Sequence, residues 1–555
     1  MSGAPASPEG LREIVLAAAS ELAQRSSAPE GVADRRRETI RLERPPGADL
    51  GDYSTNAALL LAPIAGCPPR ELAEALGERL TNRLGDGLER FEVAGPGFLN
   101  LFLSDSWLVG GLQWVLHRGE EWGAKGTVLP ERVVVEFVSA NPTGPMHIGH
   151  ARNAAYGDAL ARLLTFHGHD VRREFYINDA GSQVRKFGES IRALALGEQV
   201  PEDGYHGSYV QELTYLGQDG SIDPDELGRR AVAVMVDGMR TSLEGFHVQE
   251  FDRWFYESTL HEGDPNPVAH TLQLLEAHGH TYRSEGALWL RTTTFGDDKD
   301  RVLIRSDGEH TYFASDIAYH QDKRERGFDR QLDVWGADHH GYTARIRAAY
   351  EALGGDPGQL ELLIMQLVHL VRSGERSQMS KRTGEFVTLD DLVADIGVDA
   401  ARWYLLARSH DTTVDLDLDL ARRQSSENPV YYVQYAHARI ASVLQRAGSE
   451  RINTATEDVS REDQVALHVA ERTLIKKLLA FPGEVEEAAQ RRAPHRIASY
   501  ALELAQDFTA FYRDCHVLGA EPASVESLRV VVCVATQRTI ARCLDLLGVS
   551  APQEM

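Results

Sequence analysis

The sequence predicts an α/β fold: a Rossmann-like, doubly wound catalytic domain with an N-terminal α+β domain and a C-terminal all-α helical bundle domain. The central observation is the short, almost wholly apolar run at 133–138, which is typical of a parallel strand buried on both faces. A loop rich in Gly and Pro follows, then a helical pattern from about Gly149 and a second strand pattern at 171–177. Strand, loop, helix and strand in this order form a βαβ unit, the building block of a doubly wound sheet.

Residues 1–115 predict the N-terminal α+β domain. Its first helix is indicated by apolar residues that share one face, namely Leu11, Ile14, Val15, Ala18 and Leu22. A turn-rich segment at 45–53 separates it from a second helical pattern at 56–65. Two strand patterns between 91 and 103 flank a Gly-Pro-Gly turn, which predicts a hairpin.

Residues 128–415 predict the catalytic domain, and residues 420–555 the helical domain. Two further strands of the central sheet are expected at 332–335 and 362–365. The region of about 190–300 separates these strands from the first pair, and its mixed pattern predicts an insertion. From about residue 420 onward the pattern is helical, without strand signals.

The composition is that of a globular chain too long for one core, with 555 residues, 43% hydrophobic and 25% charged. No run of about 18 apolar residues is present, which argues against a transmembrane helix. The first eight residues do not resemble a secretory signal. The cysteines are never spaced as Cys-x-x-Cys, which argues against protein-bound zinc and predicts a cytoplasmic location: Cys67, Cys515, Cys533 and Cys543.

Charge alone does not indicate a nucleic-acid partner. The chain carries 58 Lys and Arg against 83 Asp and Glu, a net charge of −25 that repels RNA at long range. The distribution is uneven, because residues 421–555 hold 16 basic and 17 acidic side chains and are therefore almost neutral. An RNA-binding C-terminal region and a merely solubilising acidic surface both explain these numbers.

The motif at 146–150, Met-His-Ile-Gly-His, lies between the first predicted strand of the sheet and the helix that follows it. A helix N-terminus offers unpaired N–H groups and partial positive charge to phosphates, and Gly149 lets a flat purine approach the backbone. His147 and His150 are three residues apart, so both can face one crevice and donate hydrogen bonds to a phosphoryl group. Taken alone, two histidines at a helix start also fit a capping or surface role.

A second motif at 378–382, Gln-Met-Ser-Lys-Arg, lies in a loop flanked by Gly374 and Gly384. A loop carrying Lys381 can neutralise a leaving pyrophosphate, although such a motif alone is more often a solvated loop. The two motifs stand about 230 residues apart, one after the first strand and one after the last, and this pairing predicts a nucleoside triphosphate site.

These motifs resemble the HIGH and KMSKS signatures of class I aminoacyl-tRNA synthetases, and the surrounding sequence resembles arginyl-tRNA synthetases from end to end. The segments that carry the likeness are 51–56, 135–145, 176–181, 287–291, 295–301, 335–341 and 427–436. Gln378 replaces the first lysine of the second signature and Arg382 replaces its last serine. The role of each residue within that loop therefore stays open.

The resemblance implies an arginine–tRNA ligase that uses ATP with Mg²⁺ on the phosphates. Arginine attacks the α-phosphate, and the adenylate is then passed to the 3′ end of tRNA(Arg), with tRNA required for activation. It implies that His147, His150 and Lys381 stabilise the transition state. The ATP contacts that it implies are His147, Gly149, His150, Met379, Ser380 and Lys381.

A planar guanidinium with five donors pairs best with carboxylates. The positions that match the family's arginine site are Glu136, Asn141, Glu257, Tyr312, Asp316 and His339. We expect Asp316 and Glu257 to hold the guanidinium, and Asn141, Tyr312 and Glu136 to orient the α-amino and carboxylate ends. Tyr312 and Asp316, four residues apart, would share a helix face. Glu136 also stands out on its own, since an acid inside an apolar strand is costly unless it is paired.

Aromatic side chains that stack on unpaired bases are expected on the first helix of the C-terminal domain. The predicted tRNA contacts are Phe98 and Asn100 in the N-terminal domain, and Tyr431, Gln434, Tyr435 and Met555 in the C-terminal one. The expected partners are tRNA(Arg), L-arginine and ATP, with no membrane, and the expected state is a monomer.

Three other classes of protein were weighed. A small adenylyltransferase would have no use for the N-terminal domain and the helical tail of about 130 residues. A class I synthetase for cysteine would need zinc ligands, and those for glutamate, glutamine or lysine lack the combination of Glu136, Asn141, Tyr312 and Asp316. A tRNA-binding paralogue without catalysis usually loses HIGH or the motif lysine, and both are present here.

Overall fold

The structure, a computed structural model, describes residues 6–23, 40–45, 47, 50–218, 220–376, 387–459 and 466–555. It contains an N-terminal α+β unit, a central unit on a parallel sheet, and a C-terminal helical unit. The fold class predicted from the sequence is therefore confirmed. Within these residues, no helix is long and apolar enough to cross a membrane.

The N-terminal unit has a four-stranded antiparallel sheet in the order β1-β2-β4-β3. Its strands are β1 Leu42–Glu43, β2 Tyr53–Thr55, β3 Leu88–Ala94 and β4 Phe98–Leu103, and its helices are α1 Pro8–Ala23, α2 Ala57–Ala65, α3 Pro69–Leu84 and α4 Asp105–Arg118. The predicted hairpin is confirmed. Its turn needs Gly97, with φ 147°, because a Cβ there would lie 2.8 Å from the Cβ of Pro69.

The central sheet has five parallel strands in the order β12-β11-β5-β6-β7. They are β5 Arg132–Glu136, β6 Asp170–Ile177, β7 Arg253–Tyr256, β11 Arg330–Gly336 and β12 Leu360–Met365. Val133, Val134 and Val135 are buried, as expected of a strand covered on both faces. The chain builds one side from β5 to β7 and then the other with β11 and β12. A ligand crevice therefore forms at the carboxyl ends of β5 and β11, where the order reverses.

The helices of this unit are α5 Ile148–His167, α6 Ser182–Ala195, α7 Ser208–Glu212, α8 Pro224–Gly245, α9 Pro267–Ala277, α10 Tyr312–Glu325, α11 Thr343–Ala352, α12 Leu389–Ile396, α13 Val398–Leu406 and α14 Leu418–Ala421. Two smaller sheets complete it: the antiparallel β8 Thr281–Ser284, β9 Ala287–Leu290 and β10 Arg301–Ile304, and the mixed β13 Val368–Arg372, β14 Glu375–Arg376 and β15 Val414–Asp417.

The region of 190–300, predicted as an insertion, is not wholly outside the central sheet. Its segment Arg253–Tyr256 forms the edge strand β7 and pairs in parallel with β6. The segment is only four residues long. Any alternation of apolar and polar residues in it is too short to indicate a strand between the helical patterns on either side. The small sheet of β8 to β10 does lie apart from the central one.

The C-terminal unit is helical in all the elements that the structure describes there. The helices are α15 Pro429–Ala447, α16 Ser449–Val459, α17 Val469–Leu479, α18 Phe481–Gln490, α19 His495–Asp514 and α20 Ala523–Leu547. The apolar stripe of α19 faces inward, since Leu504, Phe508 and Phe511 are all buried. Those aromatic residues therefore belong to the core.

A buried arginine joins the C-terminal unit to the central one. Arg402 in α13 forms an ion pair with Asp158 in α5, and its guanidinium donates to the carbonyl oxygens of Leu547 at 2.8 Å and Phe246 at 3.0 Å. Gly548 ends α20 with φ 66°, and a Cβ at this position would lie 2.4 Å from the guanidinium. The end of α20 thus packs closely against the Arg402 guanidinium, and the same guanidinium forms an ion pair with α5.

Candidate active site

The two histidines of the first motif cap helix α5. His147 is the N-cap residue, and its Nδ1 accepts a hydrogen bond of 3.1 Å from the Gly149 N–H. The backbone N–H of His147 donates in turn to Nδ1 of His150 at 3.3 Å, and the two rings stack with centroids 3.8 Å apart. Since both Nδ1 atoms accept, each neutral imidazole carries its proton on Nε2 and can act there as a donor.

The charge state of His150 follows from its surroundings. Burial, together with a smaller effect of the adjacent His147, lowers the pKa of His150 to about 3. His150 is therefore neutral at physiological pH and acts as a hydrogen-bond donor and not as a cation. Donors fixed before the reaction stabilise charge that develops in the transition state without the cost of reorganisation.

The loop between β5 and α5 contains two residues in a backbone region that non-glycine residues rarely adopt. Val138 has φ 68° and Ser139 has φ 41°. Asn153 of α5 holds this bend, because its Oδ1 accepts from the Val138 N–H at 2.7 Å and its Nδ2 donates to the Val334 carbonyl at 2.8 Å. Such strain persists where the surroundings enforce it, and it concentrates at functional sites.

The second motif, with Met379, Ser380 and Lys381, lies outside the described residues, but the chain after it returns to the first motif. Thr388 forms an antiparallel β-bridge with His147, and the Leu389 N–H donates to the Met146 carbonyl at 2.8 Å. Thr388 is seven residues after Lys381 in the sequence.

Two carboxylates lie near each other at the carboxyl ends of the strands. Glu257 follows β7 directly and is buried, while Asp316 is half-buried in the second turn of α10. The pKa of Glu257 is raised to about 7, mainly by burial and also by the negative charges of Asp316 and Asp179, while a hydrogen bond from Tyr176 opposes the shift. Burial also raises the pKa of Asp316. The structure thus brings together the two acids expected to hold a guanidinium.

The other residues of the predicted arginine set apart from Glu136, namely Tyr312, His339 and Asn141, are exposed. Tyr312 starts α10, so it shares a helix with Asp316 as expected, and 57% of it is exposed. His339 is exposed beside Trp335 with ring centroids 5.7 Å apart, and its charge lowers the pKa of Asp316. Asn141 is exposed in the loop before α5.

Glu136 is paired within the protein on both carboxylate oxygens. Its Oε2 accepts from Lys323 at 2.6 Å and its Oε1 accepts from the Ser139 hydroxyl at 2.8 Å. Lys323 also donates to Asp333 at 2.7 Å, and Asp333 pairs with His320 at 2.8 Å. The acid thus has the pairing that a carboxylate inside an apolar strand requires. Its geometry favours holding the strained loop through Ser139 over direct contact with a substrate.

Several residues of this neighbourhood were missed in the sequence. Asp333 lies within an apolar strand, and the cost of burying an acid there should have singled it out as it did Glu136. Tyr342 donates a hydrogen bond of 2.5 Å to Asp316 Oδ2, and Asp179 accepts from the backbone N–H and hydroxyl of Ser258 at 2.8 and 2.7 Å. No sequence signal marked these partners, since they are far apart along the chain.

The predicted RNA contacts divide into exposed and buried residues. Phe98 is 42% exposed, Tyr435 40% and Met555 52%, and the Tyr431 ring stacks on that of Tyr435 with centroids 6.1 Å apart. Asn100, in contrast, is buried in β4.

Gln434 is also buried, and its side chain is used inside the protein. It donates to Asp399 at 2.8 Å and to the Ser550 carbonyl at 2.9 Å. Neither Asn100 nor Gln434 presents its side chain to a base in this geometry. Both predicted contacts conflict with the fold, because periodicity along a helix or strand did not reveal which face is covered by distant segments.

Comparison with known proteins covers nearly the whole chain. Three family models match: the arginyl tRNA synthetase N terminal domain at 10–103, the tRNA synthetases class I (R) catalytic domain at 112–240 and 245–442, and the DALR anticodon binding domain at 433–555. The chain is 46% identical over 531 residues to an arginine–tRNA ligase of Moorella thermoacetica, and the match covers 93% of each chain. It is 43% identical over 532 residues to the arginine–tRNA ligase of Bacillus subtilis, and that match covers 93% of this chain and 94% of the relative. It resembles the solved arginyl-tRNA synthetase of Thermus thermophilus with a TM-score of 0.77 at 25% identity, over 99% of this chain and 100% of the other.

The chain has a parallel sheet, and paired histidines begin the helix at the point where the strand order of that sheet reverses. A helical anticodon-binding domain follows. Together with the matched catalytic domain, these features define a class I aminoacyl-tRNA synthetase. Enzymes of this class use ATP. The match of all three family models and the identity to the curated relatives are specific for one amino acid. The chain belongs to the arginyl-tRNA synthetase family.

Proposed function

We propose that this protein joins L-arginine to the 3′ end of tRNA(Arg) in two steps, with the residues described above in defined roles. In the first step, the arginine carboxylate attacks the α-phosphorus of ATP and pyrophosphate leaves. In the second, a hydroxyl of the terminal ribose attacks the carbonyl carbon of the adenylate and AMP leaves. The pairing of Glu257 with Asp316 carries this proposal, because Glu257 follows a strand of the same parallel sheet whose strand β5 leads to the two histidines, so one sheet edge supplies a guanidinium site and a phosphate site.

His147 and His150 act on the phosphates through their Nε2–H groups. As charge builds on the α-phosphoryl oxygens, these two donors and the N-terminus of α5 stabilise it. Gly149 leaves room beside them for the adenosine. The neutral state of His150 supports this role, since it needs no proton exchange during the reaction.

Lys381 neutralises the leaving pyrophosphate, and Met379 and Ser380 contact the adenosine. The β-bridge between Thr388 and His147 supports this assignment, because it tethers the chain that follows the motif to the start of α5. Mg²⁺ enters as the ATP complex, with phosphate oxygens as its ligands. Among the described residues, no group of three or more His, Cys, Asp or Glu is arranged to hold a metal ion.

Glu257 and Asp316 bind the guanidinium, and Tyr312, Asn141 and His339 orient the α-amino and carboxylate ends towards ATP. A guanidinium places its donors in a fixed plane, so two carboxylates on separate segments recognise it better than the point charge of a lysine. Glu257 and Asp316 lie close enough for their negative charges to repel each other, and both are at least half-buried. This arrangement supports a cationic substrate, since a bound cation offsets the repulsion.

The tRNA lies against both outer units. Tyr431 and Tyr435 stack on unpaired bases of the anticodon loop, with Met555 nearby, and Phe98 contacts the tRNA elbow. The exposure of Phe98, Tyr435 and Met555, and the stacking of Tyr431 on Tyr435, support this role. The enzyme works as a monomer in the cytoplasm, and tRNA binding precedes arginine activation.

The test is ATP–pyrophosphate exchange on the purified chain with each of the twenty amino acids, with and without total tRNA. Exchange with arginine alone, appearing only when tRNA is added, is the expected result. Exchange with another amino acid would refute the assignment of the pocket and leave the class intact. Absence of exchange under every condition, with tRNA still bound, would identify a non-catalytic tRNA-binding protein.

A further inference from the structure

Glu257 and Asp316 come from different parts of the fold and carry like charges. Glu257 follows β7, and Asp316 lies in α10. The charge of Asp316 raises the pKa of Glu257, so the two acids destabilise each other's ionised form before any cation arrives. A pair of this kind needs further contacts to stay in a geometry that suits a planar guanidinium.

Each acid has its own tyrosine. The Tyr342 hydroxyl donates to Oδ2 of Asp316 at 2.5 Å, and the Tyr176 hydroxyl hydrogen-bonds the carboxylate of Glu257. Tyr342 follows the carboxyl end of β11, and Tyr176 is the penultimate residue of β6. The two tyrosines thus stand on the two sides of the crevice.

The tyrosine rings are themselves held by aromatic neighbours. The ring of Tyr176 stacks on Phe255 at 5.7 Å and packs against Tyr319 at 4.7 Å between centroids. The ring of Tyr342 packs edge-on against Phe313 at 6.2 Å. A hydroxyl on a packed ring is a fixed donor, and a fixed donor restricts the rotamer of the carboxylate that accepts from it.

We propose that Tyr176 and Tyr342 are positioning residues for arginine recognition, which fix Glu257 and Asp316 as a preset pair of acceptors before the guanidinium arrives. The inference rests on the proposed function. According to this proposal, the two tyrosine hydroxyls increase the affinity for arginine only by positioning the carboxylates and do not contact the substrate. Neither belongs to the residues expected from the sequence to bind the substrate.

The other charged groups facing the two acids are consistent with this assignment. Asp316 also faces His320 of α10, His339 after β11 and Arg345 of α11, all of which lower its pKa. Glu257 faces Asp179 after β6, which raises its pKa. The effects of His320, His339 and Arg345 on Asp316 are electrostatic, whereas the hydroxyl of Tyr342 makes a directional hydrogen bond to that acid, as Tyr176 does to Glu257.

The experiment compares Tyr342→Phe and Tyr176→Phe with the wild-type enzyme by arginine-dependent pyrophosphate exchange in the presence of tRNA. Loss of one hydrogen bond to a carboxylate should raise the KM for arginine about tenfold, with kcat and the KM for ATP changed by less than about twofold. Tyr176→Phe should also move the midpoint of the pH dependence of the arginine KM to higher pH, since it removes a contact that favours the ionised Glu257.

A matched control is Tyr500→Phe, which removes a buried hydroxyl that donates to the Lys477 carbonyl at 2.7 Å, far from the pocket. It should lower the melting temperature without altering either KM. An arginine KM within about twofold of wild type in both pocket variants would overturn the inference, as would a parallel rise in the KM for ATP, which indicates a structural role. If the wild-type enzyme exchanges with no arginine dependence, the proposed function itself fails; the variants decide only the role of the tyrosines.

Discussion

The protonation of Glu257 should make arginine binding depend on pH near neutrality. In the free site, burial raises the pKa of this acid to about 7. A bound guanidinium favours the ionised carboxylate, so the pKa in the complex is lower, and arginine binds the ionised form. Affinity is therefore complete above the free-site pKa and is lost as the pH falls through it.

The magnitude follows from the ionised fraction. With a pKa of about 7, Glu257 is about nine-tenths ionised at about pH 8 and about one-tenth ionised at about pH 6, so the KM for arginine should rise about tenfold between them. Asp316, whose pKa is also raised by burial, makes the dependence steeper at lower pH. The measurement is the arginine KM in pyrophosphate exchange at saturating tRNA and ATP across this range.

Two controls separate this effect from general acid sensitivity. The KM for ATP should stay nearly constant, because His150, with a pKa of about 3, does not titrate in this range. The variant Glu257→Gln should have a higher arginine KM that no longer changes between the two pH values. A flat arginine KM in the wild-type enzyme would refute the reasoning, since it would mean that Glu257 does not meet the guanidinium.

Three further predictions test other parts of the molecule. His150→Ala should lower kcat for exchange about a hundredfold with a smaller change in the arginine KM, since a preset donor to the transition state is lost; an unchanged kcat would exclude the role. Arg402→Met should lower the free energy of unfolding by about 3 kcal/mol, because the buried Asp158 keeps only Arg162 as a charged partner and the carbonyl oxygens of Leu547 and Phe246 lose their donor; urea denaturation measures this, and a change below about 1 kcal/mol would contradict it. Tyr435→Ala should raise the KM for tRNA about tenfold in aminoacylation, from the loss of one stacking contact, while the arginine KM stays the same; an equal rise in both would show a different cause.

The central βαβ unit could be predicted because its signals are local. An apolar strand, a Gly/Pro loop and a helix start stand next to one another in the sequence, and the structure has them as β5, the strained loop and α5. Strand β7 could not be predicted in the same way. Its four residues join the sheet only because β6 presents an open edge, which is a property of the assembled fold.

For the site, the sequence identified residues by type and missed their partners. Glu136 was expected to be paired, but nothing local indicated that Lys323, almost two hundred residues away, is the partner. Gln434 and Tyr435 are neighbours on one helix, and only the C-terminal residues packed over it decide that the first is covered and the second exposed. Contacts between distant segments carry this information, and periodicity does not contain it.

The guanidinium of Arg402 has its acceptors on three separate stretches of chain, and one of them is the last turn of α20. Removing that helix would uncover the guanidinium on one side and leave its Nε–H without the Leu547 carbonyl that accepts from it. The parallel-sheet unit is therefore not an autonomous module onto which an RNA-binding tail has been added. Helix α5, which begins at the paired histidines, forms an ion pair with Arg402 of α13, and that guanidinium also donates to Leu547, almost four hundred positions after Asp158 in the chain.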